Sequence, residues 1–144
     1  MPDALRGQAL KFLARREYSR AELRAKLAPH AESEEQLERL LDALQAEHLL
    51  SDQRYASQRV AARAGRFGNS RLKQELRGQG VADEDIAAAV AEGGDETARC
   101  RQVWQKKFKA APANAEERAK QMRFLQYRGF STEAIRRVLR GEDE

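Results

Sequence analysis

Two stretches at opposite ends of the chain decide its fold: Tyr18-Ser19-Arg20-Ala21-Glu22-Leu23-Arg24-Ala25-Lys26-Leu27 and Phe130-Ser131-Thr132-Glu133-Ala134-Ile135-Arg136-Arg137-Val138-Leu139. Each opens on an aromatic residue followed by serine. Each then places aliphatic residues four apart, Leu23 and Leu27 or Ile135 and Leu139. Ser19 with Glu22 three residues later is a capping box, in which each side chain bonds the other's free backbone N–H. The spacing therefore predicts a helix after Ser19 and another after Ser131. The match extends upstream, where Phe12, Leu13 and Arg16 correspond to Phe124, Leu125 and Arg128. A shift of 49 residues brings Tyr18 onto Phe67, Leu23 onto Leu72, Leu27 onto Leu76, Leu37 onto Ile86 and Leu41 onto Val90. A helix–aromatic turn–helix unit thus recurs three times, and such repeats mean stacked units and an elongated shape.

Between these stretches the chain reads as helix throughout. Leu5, Ala9, Phe12 and Leu13 form one apolar stripe over about 3–16. Pro29 stops the second helix, and Ser33 with Gln36 starts a third that ends near His48. Asp52 is expected to cap a fourth helix carrying Tyr55, Ala56, Val60 and Ala64. Positions 65–69 read as a turn, and Leu72 and Leu76 mark a fifth helix. Ile86, Ala89 and Val90 mark a sixth. After Gly93-Gly94 a seventh helix is expected over about 95–109. Asn114 with Glu117 starts an eighth, which runs to about Arg128, and the ninth ends near Arg140. The expected fold is all-α: three tandem three-helix repeats in an elongated, curved array, over 1–51, 52–92 and 95–140, with a frayed acidic tail at 141–144.

Composition agrees. Of 144 residues 35% are charged and 6% aromatic, with three prolines. Ala, Leu, Arg, Glu and Gln favour helix. The apolar residues are mostly Leu and Ala, which suit several small cores better than one large one. Cys100 is the only cysteine, so no internal disulfide forms. His30 and His48 lie too far apart to complete a zinc site. No run approaches the ~18 apolar residues of a membrane span, and the N-terminus carries no apolar signal segment. A cytoplasmic monomer without cofactor or metal is expected.

No catalytic set is readable. Gly65-Arg66-Phe67-Gly68 lacks both the lysine and the preceding strand of a phosphate loop. The Glu34-Glu35 and Glu116-Glu117 pairs sit in first helical turns, where the helix dipole accounts for them. Cys100 and Trp104 fall on the stripe of the seventh helix and read as core. An enzyme is not expected.

Charge is uneven, although the net value is only +4. Seven basic residues lie between Arg54 and Arg77 against the single acid Glu75, and twelve lie between Arg99 and Arg140 against three acids. Arg59, Arg63 and Arg66 follow i, i+4, i+7 spacing on the fourth helix and its end, and Arg71, Lys73 and Arg77 continue the positive field. Lys106, Lys107, Lys109, Arg118, Lys120 and Arg123 form a second cluster. Any one of these alone reads as a solvated helix face. Together they suit a polyanionic or acidic partner, because guanidinium forks match phosphates and carboxylates.

Three stretches, KFLARREYSRAELRAKL at 11–27, LLSDQRYASQRVAARAGRFGNSRLKQELRGQGV at 49–81 and FLQYRGFSTEAIRRVL at 124–139, resemble the RecX family, the bacterial regulators of the RecA recombinase. The resemblance covers nearly the whole chain, and the first repeat begins almost at Met1, so no N-terminal extension is expected. Asn69 follows Phe67-Gly68 where the family commonly has Pro. The resemblance implies a curved array of three-helix repeats that binds the RecA monomer and the RecA nucleoprotein filament, lodged in the filament's groove. It implies restraint of filament extension, ATP hydrolysis, strand exchange and co-protease activity, with possible weak direct DNA contact and no chemistry of its own. The twelve basic residues above are the contact candidates for RecA filament or DNA. The competing reading is a non-specific DNA-binding helical module. Its unit starts, such as Arg20-Ala21 and Thr132-Glu133, favour backbone contact over base readout.

Overall fold

A computed structural model describes residues 2–141. The residues at 142–144, where the sequence places most of its acidic tail, lie outside the described residues. Among the described residues there are nine α-helices, one short 3-10 turn and no strand: α1 Pro2–Arg15, α2 Arg20–Leu27, the 3-10 turn Ala28–His30, α3 Glu34–Ala46, α4 Asp52–Arg63, α5 Asn69–Gly78, α6 Asp83–Glu92, α7 Glu96–Lys107, α8 Ala115–Tyr127 and α9 Thr132–Arg140.

Most helix starts follow from local chemistry. The Ser19 hydroxyl accepts from the Glu22 N–H at 3.0 Å and the Glu22 carboxylate accepts from the Ser19 N–H at 3.1 Å, which completes the capping box. Ser33, Asn114 and Ser131 cap α3, α8 and α9. Two local expectations are corrected. Ser51, not Asp52, caps α4, accepting from the Arg54 N–H at 3.1 Å. And α7 ends at Lys107, because Phe108 turns extended and packs edge-on against Phe124, with ring centroids 5.5 Å apart.

The helices bury three separate apolar clusters. The first joins Leu5, Ala9, Tyr18, Leu23, Leu27, Leu37, Leu41, Leu44 and Leu50 from α1–α3. The second joins residues of α4–α6 around Tyr55, Val60, Leu72, Leu76 and Ile86. The third joins residues of α7–α9 around Cys100, Leu125, Phe130, Ile135 and Leu139. Trp104 packs against the third cluster and donates its indole N–H to Gln121 at 2.8 Å. The buried positions of the third helices repeat at 49-residue spacing, at Leu37, Ile86 and Ile135. The 112-residue shift picks out something different. Tyr18 joins the first and second helices of its group, whereas Phe130 joins the second and third of its own. The aromatic turn is a local device, and the third group uses it at a different corner.

The chain exposes 8904 Å², against about 7,500 Å² for a compact monomer of its mass. The excess of roughly a fifth is what three small cores in series give in place of one.

Candidate interaction surface

What joins neighbouring groups is polar. Between the first and second, the Asp52 carboxylate accepts from the backbone N–H of Arg20, the first residue of α2, at 2.7 Å. This is why Asp52 is not the cap of its own helix. Burial raises the Asp52 carboxyl above its ordinary value, and the Arg20 N–H offsets only part of that. Arg54 adds an ion pair to Glu17 at 2.8 Å. Between the second and third groups the same device recurs. The Glu96 carboxylate, in the first turn of α7, accepts from the N–H of Asn69, the first residue of α5, at 2.9 Å. It also accepts from the Ser131 N–H at 3.2 Å. In both places a first-turn acid of the following group satisfies the open N-terminus of the preceding group's second helix.

The second seam is closer than the first. The turns Phe67-Gly68 and Gly129-Phe130 pair through their backbones: the Gly68 N–H donates to the Arg128 carbonyl at 2.8 Å and the Ser70 N–H to the Gly129 carbonyl at 3.1 Å. Nothing larger than glycine fits at Gly68, where a Cβ would lie 2.4 Å from the Gly129 and Phe130 backbones. Arg99, only 9% exposed, reaches across the seam. Its Nε donates to the Ala64 carbonyl at 2.9 Å and an Nη to the Phe67 carbonyl at 3.0 Å. The Ala64 carbonyl belongs to the C-cap of α4, and the Phe67 carbonyl lies in the turn that leads into α5. Burial lowers the Arg99 pKa, and Glu96 and Asp95 oppose that shift.

The predicted site residues separate on this frame. Arg63 is engaged internally, its guanidinium forked onto Glu75 at 2.6 and 2.8 Å. Arg71 reaches the same carboxylate at 3.5 Å, and Arg77 pairs with Asp83 at 3.4 Å. Burial works to raise the Glu75 carboxyl, but the hydrogen bonds and charge of Arg63, with the charge of Arg59 and a hydrogen bond from Arg71, outweigh it and hold the group below its ordinary value. Arg59, Arg66, Lys73, Lys106, Lys107, Lys109, Arg118, Lys120 and Arg123 have no carboxylate at ion-pair distance among the described residues, although the charge of Arg59 reaches Glu75. The i, i+4, i+7 series does not act as one face. Arg59 lines a cleft with Arg16, Glu17 and Tyr55 between the first two groups. Arg63 and Arg66 gather instead around the Phe67 ring, at 4.5 and 5.6 Å from its centroid. Arg66, Lys106 and Lys107 come together at one cleft.

Spacing alone missed Arg99, Glu96, Arg128 and Tyr127. Arg128 was within reach. It matches Arg16 in the repeat, and Arg16 lies 3.7 Å over the Tyr18 ring, as Arg128 lies 5.5 Å from Phe67 and 5.2 Å from Phe124. By contrast the cations of the first group are largely neutralised: Arg20 pairs with Glu38 and Asp42, and Arg24 with Glu34 and Glu38.

Among the described residues no group of three or more His, Cys, Asp or Glu side chains is placed to hold a metal ion, and no helix is long and apolar enough to cross a membrane. Cys100 is fully buried, which pushes its thiol up to about 12.

Comparison with known proteins agrees with this architecture. Residues 51–90 match the family model of the RecX second three-helix domain and residues 95–139 that of the third. The chain is 46% identical over 143 residues to the regulatory protein RecX of Ralstonia nicotianae, covering 99% of this chain and 90% of that protein. It is 48% identical over 141 residues to that of Leptothrix cholodnii, covering 97% and 90%. The crystal structure of RecX from Lactobacillus salivarius superposes with a TM-score of 0.87 at 20% identity, covering 99% of this chain and 96% of that one. Two serial three-helix models and relatives that align from end to end leave one assignment: this chain belongs to the RecX family of regulatory proteins.

Proposed function

We propose that this protein binds RecA, as monomer and in its nucleoprotein filament, and restrains filament extension. ATP hydrolysis, strand exchange and co-protease activity would fall with it, so that recombination, DNA repair and the SOS response are modulated. It would act in the cytoplasm, as a monomer and by occupancy alone. The observation that carries this reading is the end-to-end similarity to regulatory proteins of the RecX family. The geometry is suited to it. Three small cores in series present a long surface that can follow a groove, and the unneutralised cations of the second and third groups would face a filament wrapped on DNA.

The test is ATP hydrolysis by RecA of the same bacterium on single-stranded DNA, with this protein titrated in. Inhibition well below one copy per RecA supports a block on extension. Inhibition only near equal amounts supports binding along the groove. No effect at any ratio refutes the proposal. A second reading, direct non-specific contact with nucleic acid, is favoured by the nine cations that have no carboxylate at ion-pair distance.

A further inference from the structure

Cations and aromatic rings alternate without a break along the seam between the second and third groups. Lys107 Nζ lies 5.5 Å from the Phe124 ring centroid. Arg128 lies 5.2 Å from that ring and 5.5 Å from Phe67. Arg71 lies 4.4 Å from Phe67 and 5.8 Å from Tyr127. At one end is a cleft of about 320 Å³ with Arg66, Lys106 and Lys107 at its rim, Val103 and Phe124 as its floor, and no acid in its lining. At the other end a second cleft, about 440 Å³, is bordered by Arg71, Gln74 and Tyr127. Its one acid, Glu75, is held by Arg63 and Arg71. Tyr127 is 78% exposed, the most exposed large apolar side chain among the described residues.

We propose that this seam binds single-stranded nucleic acid, with phosphates on Lys106, Lys107, Arg66 and Arg128 and a base stacked on Tyr127. The proposal rests on the second reading above, direct contact with nucleic acid, and not on RecA binding. Every nucleotide carries one phosphate and one flat base, which suits a cluster of cations beside one exposed ring, Tyr127. A duplex would use the cations but leave Tyr127 idle, because its bases are already stacked and paired. An acidic peptide would answer the cations, yet would need an aromatic residue at a matching interval to cover the ring.

The experiment is fluorescence anisotropy of a labelled oligothymidylate of about twenty nucleotides, without RecA, across a salt series. Matched duplex and a poly-aspartate peptide serve as competitors. Lys106→Gln/Lys107→Gln and Lys106→Glu/Lys107→Glu are compared with Lys11→Glu/Arg15→Glu, which makes the same charge change as the Glu pair on α1. We expect the Glu pair at 106 and 107 to weaken binding at least about tenfold. The Gln pair should lower the salt slope by about 1.4, that is ~0.7 for each phosphate no longer neutralised. Tyr127→Ala should weaken binding about fivefold or more at unchanged slope, with Tyr127→Phe as the wild type. Equal loss in the α1 control reduces the effect to net charge and overturns the proposal. So does duplex binding as tight as single strand, displacement by poly-aspartate at equal charge, or an unaffected Tyr127→Ala variant. Each variant is checked for helicity and thermal midpoint. RecA inhibition measured in parallel keeps the two readings apart, since seam variants that lose the oligonucleotide but still inhibit RecA leave the regulatory reading standing.

Discussion

Replacing Gly68 by alanine should open the seam between the second and third groups by a clash with backbone, with no core side chain truncated. Gly68 has φ −84°, which any residue tolerates, so the cost is steric alone. An alanine Cβ would lie 2.4 Å from three backbone atoms of Gly129 and Phe130. Backbone cannot rotate away as a side-chain tip does, so the two turns must separate. Overpacking of this kind costs about 1–3 kcal/mol. Separation also strains the hydrogen bonds from the Gly68 and Ser70 N–H groups, about 1 kcal/mol each. Together the loss comes to roughly 3–5 kcal/mol, a large part of the ~5–15 kcal/mol that a domain of this size has in all. Gly65→Ala is the control, because a Cβ there meets nothing within 4 Å. Urea denaturation followed by circular dichroism reads the difference. Hydrogen exchange should show faster exchange at Gly68 and Ser70 while α1–α3 keeps its protection. A Gly68→Ala midpoint corresponding to less than 1 kcal/mol of loss would refute the argument that close backbone approach fixes the two turns.

Three further outcomes follow, two from polar contacts and one from burial. Arg99→Met keeps most of the packing but strands the Ala64 and Phe67 carbonyls. Burying the cation already has a cost, so the expected loss is nearer 2 kcal/mol than the full value of two charged hydrogen bonds, read as a lower urea midpoint. Glu75→Gln should cost about 1 kcal/mol at pH 7, because the Arg63–Glu75 pair is only partly exposed, at 22% and 27%. The Glu75 carboxyl is depressed in the folded state, so its contribution is present above the ordinary carboxylate value and lost as pH falls through the folded value. Denaturation of both proteins across that acid range should show the difference shrinking towards zero; a gap that widens in acid would contradict the pairing. Cys100, with its thiol pushed up to about 12, should resist a disulfide-exchange reagent at pH 8 and become labelled only as fast as the third core opens. Labelling at the rate of a free thiol in the native protein would place that residue outside the core.

The helix starts at Ser19, Ser33, Asn114 and Ser131 were legible because a cap needs only residues within one turn. The α4 start was legible to within one residue. Ser51 and Asp52 are both good caps in isolation, and what separates them is the Arg20 N–H, thirty-two residues away in sequence. Glu96 and Arg99 were not legible at all, since nothing local distinguishes them from the solvated charges of any first helical turn. The site was half legible for the same reason. Composition located the positive stretches, but the assignment of Arg63 to Glu75 depends on how α4 meets α5, and that of Arg66 to the Lys106 cleft on how the turn after α4 meets α7 and α8.

These contacts suggest how one chain can be both a stack of units and a surface of defined shape. Apolar burial is non-directional, so three Leu- and Ala-rich cores alone would hold their own helices while leaving neighbouring groups free to slide. The seams supply direction. A carboxylate at a helix N-terminus and a guanidinium on a helix C-terminal carbonyl each accept one geometry. The two seams differ in strength. The first rests on Asp52 and the exposed Arg54–Glu17 pair. The second has paired backbones, Glu96 on two N–H groups and the buried Arg99. Bending should therefore concentrate at the first seam, with the second and third groups moving together. The unneutralised Lys106 cleft and the cation–aromatic series lie on that stiffer pair, where a binding surface keeps its spacing while the first group adjusts to its partner.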